Sequence, residues 1–166
     1  MIEVGDSLQN VNMPVRINGK FQHVNPVTEY FSGKRVIIFG LPGAFTPTCS
    51  TYQLPGFDEK FDQFKEKGID EIYCVSVNDS FVMDAWFKDL DVKNVKPVAD
   101  GNGTFTRSIG ALVPKDNLGF GHRSWRYSMV VNDGVVEQVF AEEGFGANIE
   151  GDPYVISSPE NVLANL

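Results

Sequence analysis

The 166-residue chain predicts an α/β fold: a mixed central β-sheet flanked by helices, with an added β-hairpin at the N-terminus. Three observations lead there. Residues 34–40 (KRVIIFG) and 71–77 (EIYCVSV) are apolar, β-branched runs of the kind buried on both faces of a sheet. Each is followed by apolar residues at helical spacing. Late in the chain, Asn132-Asp133-Gly134 separates two further apolar runs, as a tight antiparallel hairpin requires. Alternation of strand and helix followed by a hairpin means a sheet of mixed direction with helices on both faces.

The elements follow in order. Residues 15–17 and 21–24 flank Asn18-Gly19, a pair suited to a primed turn, and form the first hairpin. A short helix over 26–31 is closed by Gly33. The strand at 34–40 runs into a loop rich in turn residues, 41–49, and then into a helix with Phe57, Phe61 and Phe64 on one side, kinked early by Pro55 and ended by Gly68. After the strand at 71–77, Asn78 or Asp79 caps a helix whose apolar stripe is Phe81, Val82, Ala85, Trp86 and Leu90. Residues 95–99 form a short strand and 103–112 a modest helix. The hairpin strands are 128–131 and 135–140. Ser157 or Ser158 with Pro159 opens a terminal helix. This order is similar to an elaborated thioredoxin fold. No Ser/Gly/Pro-rich linker and no internal repeat divides the chain, so 1–166 is expected to be a single domain.

Composition narrows the function classes. There are 14 basic and 22 acidic residues, a formal charge of -8, with no cluster of Lys or Arg, which argues against a nucleic-acid surface. Residues 1–6 lack the basic start and apolar stretch of a secretory signal. The longest apolar stretch, 36–45, is broken by Gly40, Pro42 and Gly43, far short of the roughly 20 residues a spanning helix needs. A soluble, cytoplasmic protein without a membrane partner is the expectation. Two cysteines are too few for a disulfide framework, and two distant His residues (His23 and His122) do not suggest a metal site.

Cys49 falls where the loop leaving a buried strand enters a helix, the edge at which open α/β sheets place their ligands. The first amides of a helix lack intrahelical partners and carry a positive dipole, so a thiol there loses its proton more easily. Thr46 can aim its hydroxyl at the same point, Pro42 and Pro47 stiffen the loop, and Gly43 lets it turn sharply. The expected result is a rigid, partly screened pocket around a thiolate. A free Cys is most often an inert buried hydrophobe, and on the residues alone the two readings balance.

The segment Pro42-Gly43-Ala44-Phe45-Thr46-Pro47-Thr48-Cys49 matches the motif Pro-x-x-x-Thr-x-x-Cys. With it, and with 75–79, 81–86, 123–129 and 133–136, the chain resembles the type II (type five) group of peroxiredoxins over nearly its whole length. The resemblance implies a thiol peroxidase without metal or organic cofactor, reducing hydrogen peroxide and alkyl hydroperoxides through a Cys49 sulfenic acid. Cys49 would be the peroxidatic nucleophile, Thr46 would hydrogen-bond thiolate and peroxide, and Pro42 would shield the sulfur. The family's arginine falls on Arg126, with Arg123 as competitor; by residue type alone Arg126 is a surface residue. The resemblance also implies a homodimer, in which Phe45 and Phe120 are interface candidates, with ordinary core as the equal alternative.

Cys74 lies within the second buried strand, which favours an inert thiol, although some relatives carry a second Cys at this spacing and keep it a candidate resolving thiol. Residues 144–166 contain no Cys, so a late resolving cysteine is out of reach. A one-cysteine cycle is expected, with glutathione/glutaredoxin or thioredoxin as reductant. A non-turnover peroxide sensor, or a redox relay through the same Cys49, is the alternative. A cysteine hydrolase lacks a His in a triad-like pattern, and a disulfide reductase is poor because Thr46 stands where a Cys-x-x-Cys motif needs its first sulfur.

Overall fold

Five strands form the central sheet of the computed structural model, which describes residues 1–166. Ahead of it, β1 (Met13–Ile17) and β2 (Lys20–Val24) pair as the N-terminal hairpin. Asn18 and Gly19 both take positive φ (51° and 79°), the conformation of a primed two-residue turn. A single wide turn over Val27–Phe31 leads to β3 (Arg35–Gly40). The remaining sheet strands are β4 (Glu71–Ser76), β5 (Lys96–Ala99), β8 (Tyr127–Asn132) and β9 (Val135–Ala141). Their order is β5-β4-β3-β8-β9; β3, β4 and β5 are mutually parallel, β8 is antiparallel to β3, and β9 is antiparallel to β8.

Alternation along β3 divides the interior. Val36 and Ile38 face one core with Phe31, Tyr73, Phe105, Trp125 and Tyr127. Ile37, Phe39 and Leu41 face the other with Phe57, Phe64, Met83 and Trp86. A strand covered on both sides has no polar face, hence the unbroken apolar run.

The helices depart from expectation in three places. The segment after Cys49 is not one kinked helix. A π-type turn over Cys49–Gln53 precedes α1 (Leu54–Glu59), and a break at Lys60 separates α1 from α2 (Phe61–Glu66). In α3 (Ser80–Asp89), capped by the Asp79 carboxylate through Val82 N–H, the fully buried residues are Met83 and Trp86, while Phe81 is exposed. Phe81 instead meets Phe21 of the hairpin edge-on and lies under the Arg16 guanidinium. The helix expected over 103–112 is only α4 (Thr104–Ser108), because Gly110 at φ 71° ends it. A small hairpin follows, β6 (Leu112–Pro114) with β7 (His122–Ser124), that no turn signal announced. Ser158 caps α5 (Pro159–Ala164). No helix is long and apolar enough to cross a membrane.

Candidate active site

The loop that leaves β3 is tied down at each step. Leu41, Pro42 and Gly43 are buried. The Pro42 carbonyl accepts from Arg123 Nη1 at 3.1 Å, and a side chain on Gly43 would run into that same guanidinium. Ala44 N–H donates to Asn78 Oδ1 at 3.0 Å, which also accepts from Ser76 Oγ at 2.5 Å. Phe45, at φ 62°, turns the chain; this conformation costs a non-glycine residue roughly 1–2 kcal/mol and persists only where neighbours enforce it. Helical structure resumes at Pro47, so Cys49 lies inside the first turn. Pro55 has no N–H to continue an α-helical ladder, and the turn ahead of it widens so that Leu54 N–H reaches back to the Cys49 carbonyl.

Cys49 is fully buried, more enclosed than the partly screened pocket expected. It is not sealed in hydrocarbon, because Arg126 Nη1 donates to Sγ at 3.5 Å. The opening amides of the helix do not make this contact: the helix starts two residues earlier, and the donor is the side chain of the residue just before β8. Arg126 is 2% exposed. Its Nη1 also donates to Gln53 Oε1 at 2.5 Å, its Nη2 donates to Asp152 Oδ1 at 2.6 Å, and its Nε has no partner. Burial works to lower the Arg126 pKa, but the charges on Cys49 and Asp152 outweigh it, so the guanidinium is held above its ordinary range. Two further cations lie around the sulfur. Burial lowers Arg123, opposed by the Cys49 charge, and burial lowers Lys115, opposed first by Asp152. The Tyr154 ring lies 5.7 Å from the Arg126 guanidinium carbon, and burial pushes its phenol up to about 12. The arrangement presents a thiol to fixed cationic donors in a site from which bulk water is excluded, the setting that stabilises charge developing on a small substrate.

The structure thus joins Cys49 and Arg126, overturning the surface position that residue type suggested for Arg126. Thr46 differs from expectation: its hydroxyl donates to the Gly43 carbonyl at 2.7 Å and makes no hydrogen bond to the Cys49 sulfur. Its lone pairs face no donor of the protein, since the loop needs the hydroxyl proton to close its own turn. Arg123 organises the loop through Pro42 and also donates to the Phe120 carbonyl. Phe45 is 53% exposed, which removes the core alternative for it, and Phe120 is half-buried under Arg123. Cys74, opposite Phe39 in the β3–β4 register, is fully buried, and that burial raises its pKa well above a free thiol's. Both cysteines are free thiols. His23 and His122 are exposed, consistent with surface roles. Sequence reasoning missed Gln53 and Asp152. Gln53 was findable, one helical turn past Cys49; Asp152, in an irregular segment 26 residues from Arg126, carried no signal.

Comparison with known proteins follows the same lines. The model of the Redoxin family matches residues 3–150. A peroxiredoxin of Rhizobium etli is 64% identical over 138 residues, covering 83% of this chain and 77% of the relative. The solved structure of the Plasmodium falciparum antioxidant protein, a 1-Cys peroxiredoxin, superposes with a TM-score of 0.93 at 39% identity over 99% of this chain and 100% of that one. Reduced Prx3 from Vibrio vulnificus in complex with hydrogen peroxide superposes with a TM-score of 0.88 at 37% identity, covering 99% of each chain. The chain therefore belongs to the redoxin family, as a thiol-dependent peroxidase among the type II (type five) peroxiredoxins.

Proposed function

We propose that Cys49 is the attacking thiolate of this peroxidase and Arg126 its principal charge partner. The observation that carries the assignment is the contact between Arg126 Nη1 and Cys49 Sγ inside a buried site. In the reaction the sulfur takes the hydroxyl group of the peroxide, the O–O bond breaks, and the alkoxide or hydroxide leaves and is protonated from water. Cys49 becomes a sulfenic acid. Charge builds on both oxygens in the transition state, where donors that need no reorganisation lower the barrier most. Arg126 supplies those donors, Thr46 offers an acceptor for the peroxide's own proton, and Pro42 closes the sulfur off from bulk water.

Hydrogen peroxide and alkyl hydroperoxides are the substrates in this reading, supported by the hydrogen peroxide bound to the Vibrio relative. Recycling follows a one-cysteine route. A thiol condenses with the sulfenic acid, releasing water, and a second thiol displaces it as a disulfide, with glutathione/glutaredoxin or thioredoxin as the source. Burial of Cys74 and the 1-Cys designation of the Plasmodium relative support that route. The exposed Phe45, on the same loop as Pro42, supports dimerisation through this face, with Phe120 nearby in the same assembly. We place the protein in the cytoplasm as one domain over 1–166.

The test is peroxide consumption with excess small thiol. Cys49→Ser is expected to abolish it, and Cys74→Ser to preserve many turnovers per chain. Consumption that survives loss of Cys49 would overturn the nucleophile assignment. A stall after one equivalent in Cys74→Ser would overturn the one-cysteine cycle.

A further inference from the structure

The Arg126 fork has one partner that no motif marks. Residues 142–157 leave β9 as an irregular arm that crosses the site. Its ends are fixed. The buried Glu142 carboxylate accepts from Val155 N–H, Ser157 N–H and Ser157 Oγ through one oxygen, at 2.7–2.9 Å. In between, the Phe145 ring meets Trp125 edge-on, and Asn148 N–H donates to the Pro114 carbonyl at 2.9 Å. The arm delivers two side chains to Arg126. Tyr154 covers the guanidinium and stacks on Tyr52, in the turn that carries Cys49. Asp152 Oδ1 accepts from Nη2 at 2.6 Å while its own side chain is 44% exposed.

We propose that Asp152 is a positioning residue for the peroxide reaction, an outer clamp that holds the plane and rotation of the Arg126 guanidinium. This rests on the reading of Cys49 as nucleophile. A guanidinium rotates about its long stem until its donors are engaged. Here Nε, the nitrogen nearest the backbone, engages nothing. Both remaining partners on the inner side, Gln53 Oε1 and Cys49 Sγ, share Nη1. Contacts on one nitrogen hold only that end of the planar fork. A contact on Nη2 anchors the other end, and a carboxylate makes it with a charge-assisted bond. Since the peroxide's oxygens need donors fixed to within a fraction of an ångström, the clamp acts on the rate of O–O cleavage without touching substrate.

The test compares two reactions of the same sulfur: oxidation by hydrogen peroxide, and alkylation by iodoacetamide read as adduct on the Cys49 peptide. Iodoacetamide is uncharged and places no second oxygen for the guanidinium to bind. Asp152→Ala is expected to slow oxidation by about tenfold or more while alkylation changes by less than about threefold. Asp152→Asn keeps an acceptor in the same place and is expected to restore oxidation to within about threefold of the parent. The proposal is overturned by oxidation within threefold of the parent in Asp152→Ala, by both reactions slowing in equal proportion, or by Asp152→Asn behaving as Asp152→Ala does. Cys49→Ser, run alongside, separates the two claims: persistence of peroxide consumption there strikes the nucleophile assignment itself.

Discussion

Arg126 meets the problem of a charged group that is 2% exposed by placing donors on a sulfur, an amide oxygen and a carboxylate. A planar fork serves three acceptors in different directions; an ammonium on a flexible stem presents a single point of charge. Arg126→Lys keeps the charge and breaks the geometry. It is therefore expected to lower kcat/KM for hydrogen peroxide by about 100-fold or more, with the fold intact by circular dichroism. A loss smaller than tenfold would mean that charge alone suffices. The position of this arginine was legible from its place ahead of Tyr127-Ser128-Met129. Its burial was not, because residue type predicts a guanidinium on the surface and only the assembled site supplies its acceptors.

At the level of elements, the turn bearing Cys49 is held from below by α3. Trp86 is fully buried and its indole N–H donates to Ser50 Oγ at 2.9 Å, joining the residue after Cys49 to the centre of that helix. Ser50→Ala leaves the indole donor without a partner inside the core. It is expected to cost about 1–3 kcal/mol in urea unfolding, and an unchanged midpoint would show that water reaches the site. The helical spacing of Phe57, Phe61 and Phe64 correctly placed a helix here, yet not its division. The wide turn follows from Pro55, which lacks an N–H, and the chain breaks again at Lys60; neither is information that apolar periodicity contains. The same limit explains α3, where Phe81 reads as core by spacing and instead serves the N-terminal hairpin at the surface.

For the whole molecule, Glu71 ties the lower edge of the sheet together. Its carboxylate accepts from Lys96 Nζ at 2.7 Å, from Lys34 Nζ at 3.3 Å and from the Tyr73 hydroxyl, linking β5, the start of β3 and β4. Burial works to raise its pKa, but the lysines and the hydroxyl outweigh it and hold the carboxyl below its ordinary value of 4.5. A folded-state pKa below the unfolded one stabilises the fold at pH values above the unfolded pKa, and the contribution is lost as pH falls through the folded value. Glu71→Gln is therefore expected to lower the urea midpoint at pH 7, with the gap to the parent closing as pH falls below the ordinary carboxylate range. A gap that stays constant with pH would show that the contribution is packing, not charge.

The linear order of residues determined the layers of this protein and its chemistry. β-branched runs favour buried strands, Asn-Gly and Asp-Gly can turn hairpins at low cost, and the run from Pro42 to Cys49 marks the loop on which the resemblance places the reactive thiol. Those are local properties, set by backbone sterics and side-chain pattern. What surrounds the sulfur was decided by the tertiary structure alone. Gln53, Arg126 and Asp152 come from separate segments and meet because two cores fix a helix turn, a strand end and an irregular arm around one guanidinium. Contacts over such separations depend on packing of the whole sheet; local spacing pointed to Gln53, one turn past Cys49, but not to its meeting with Arg126 and Asp152.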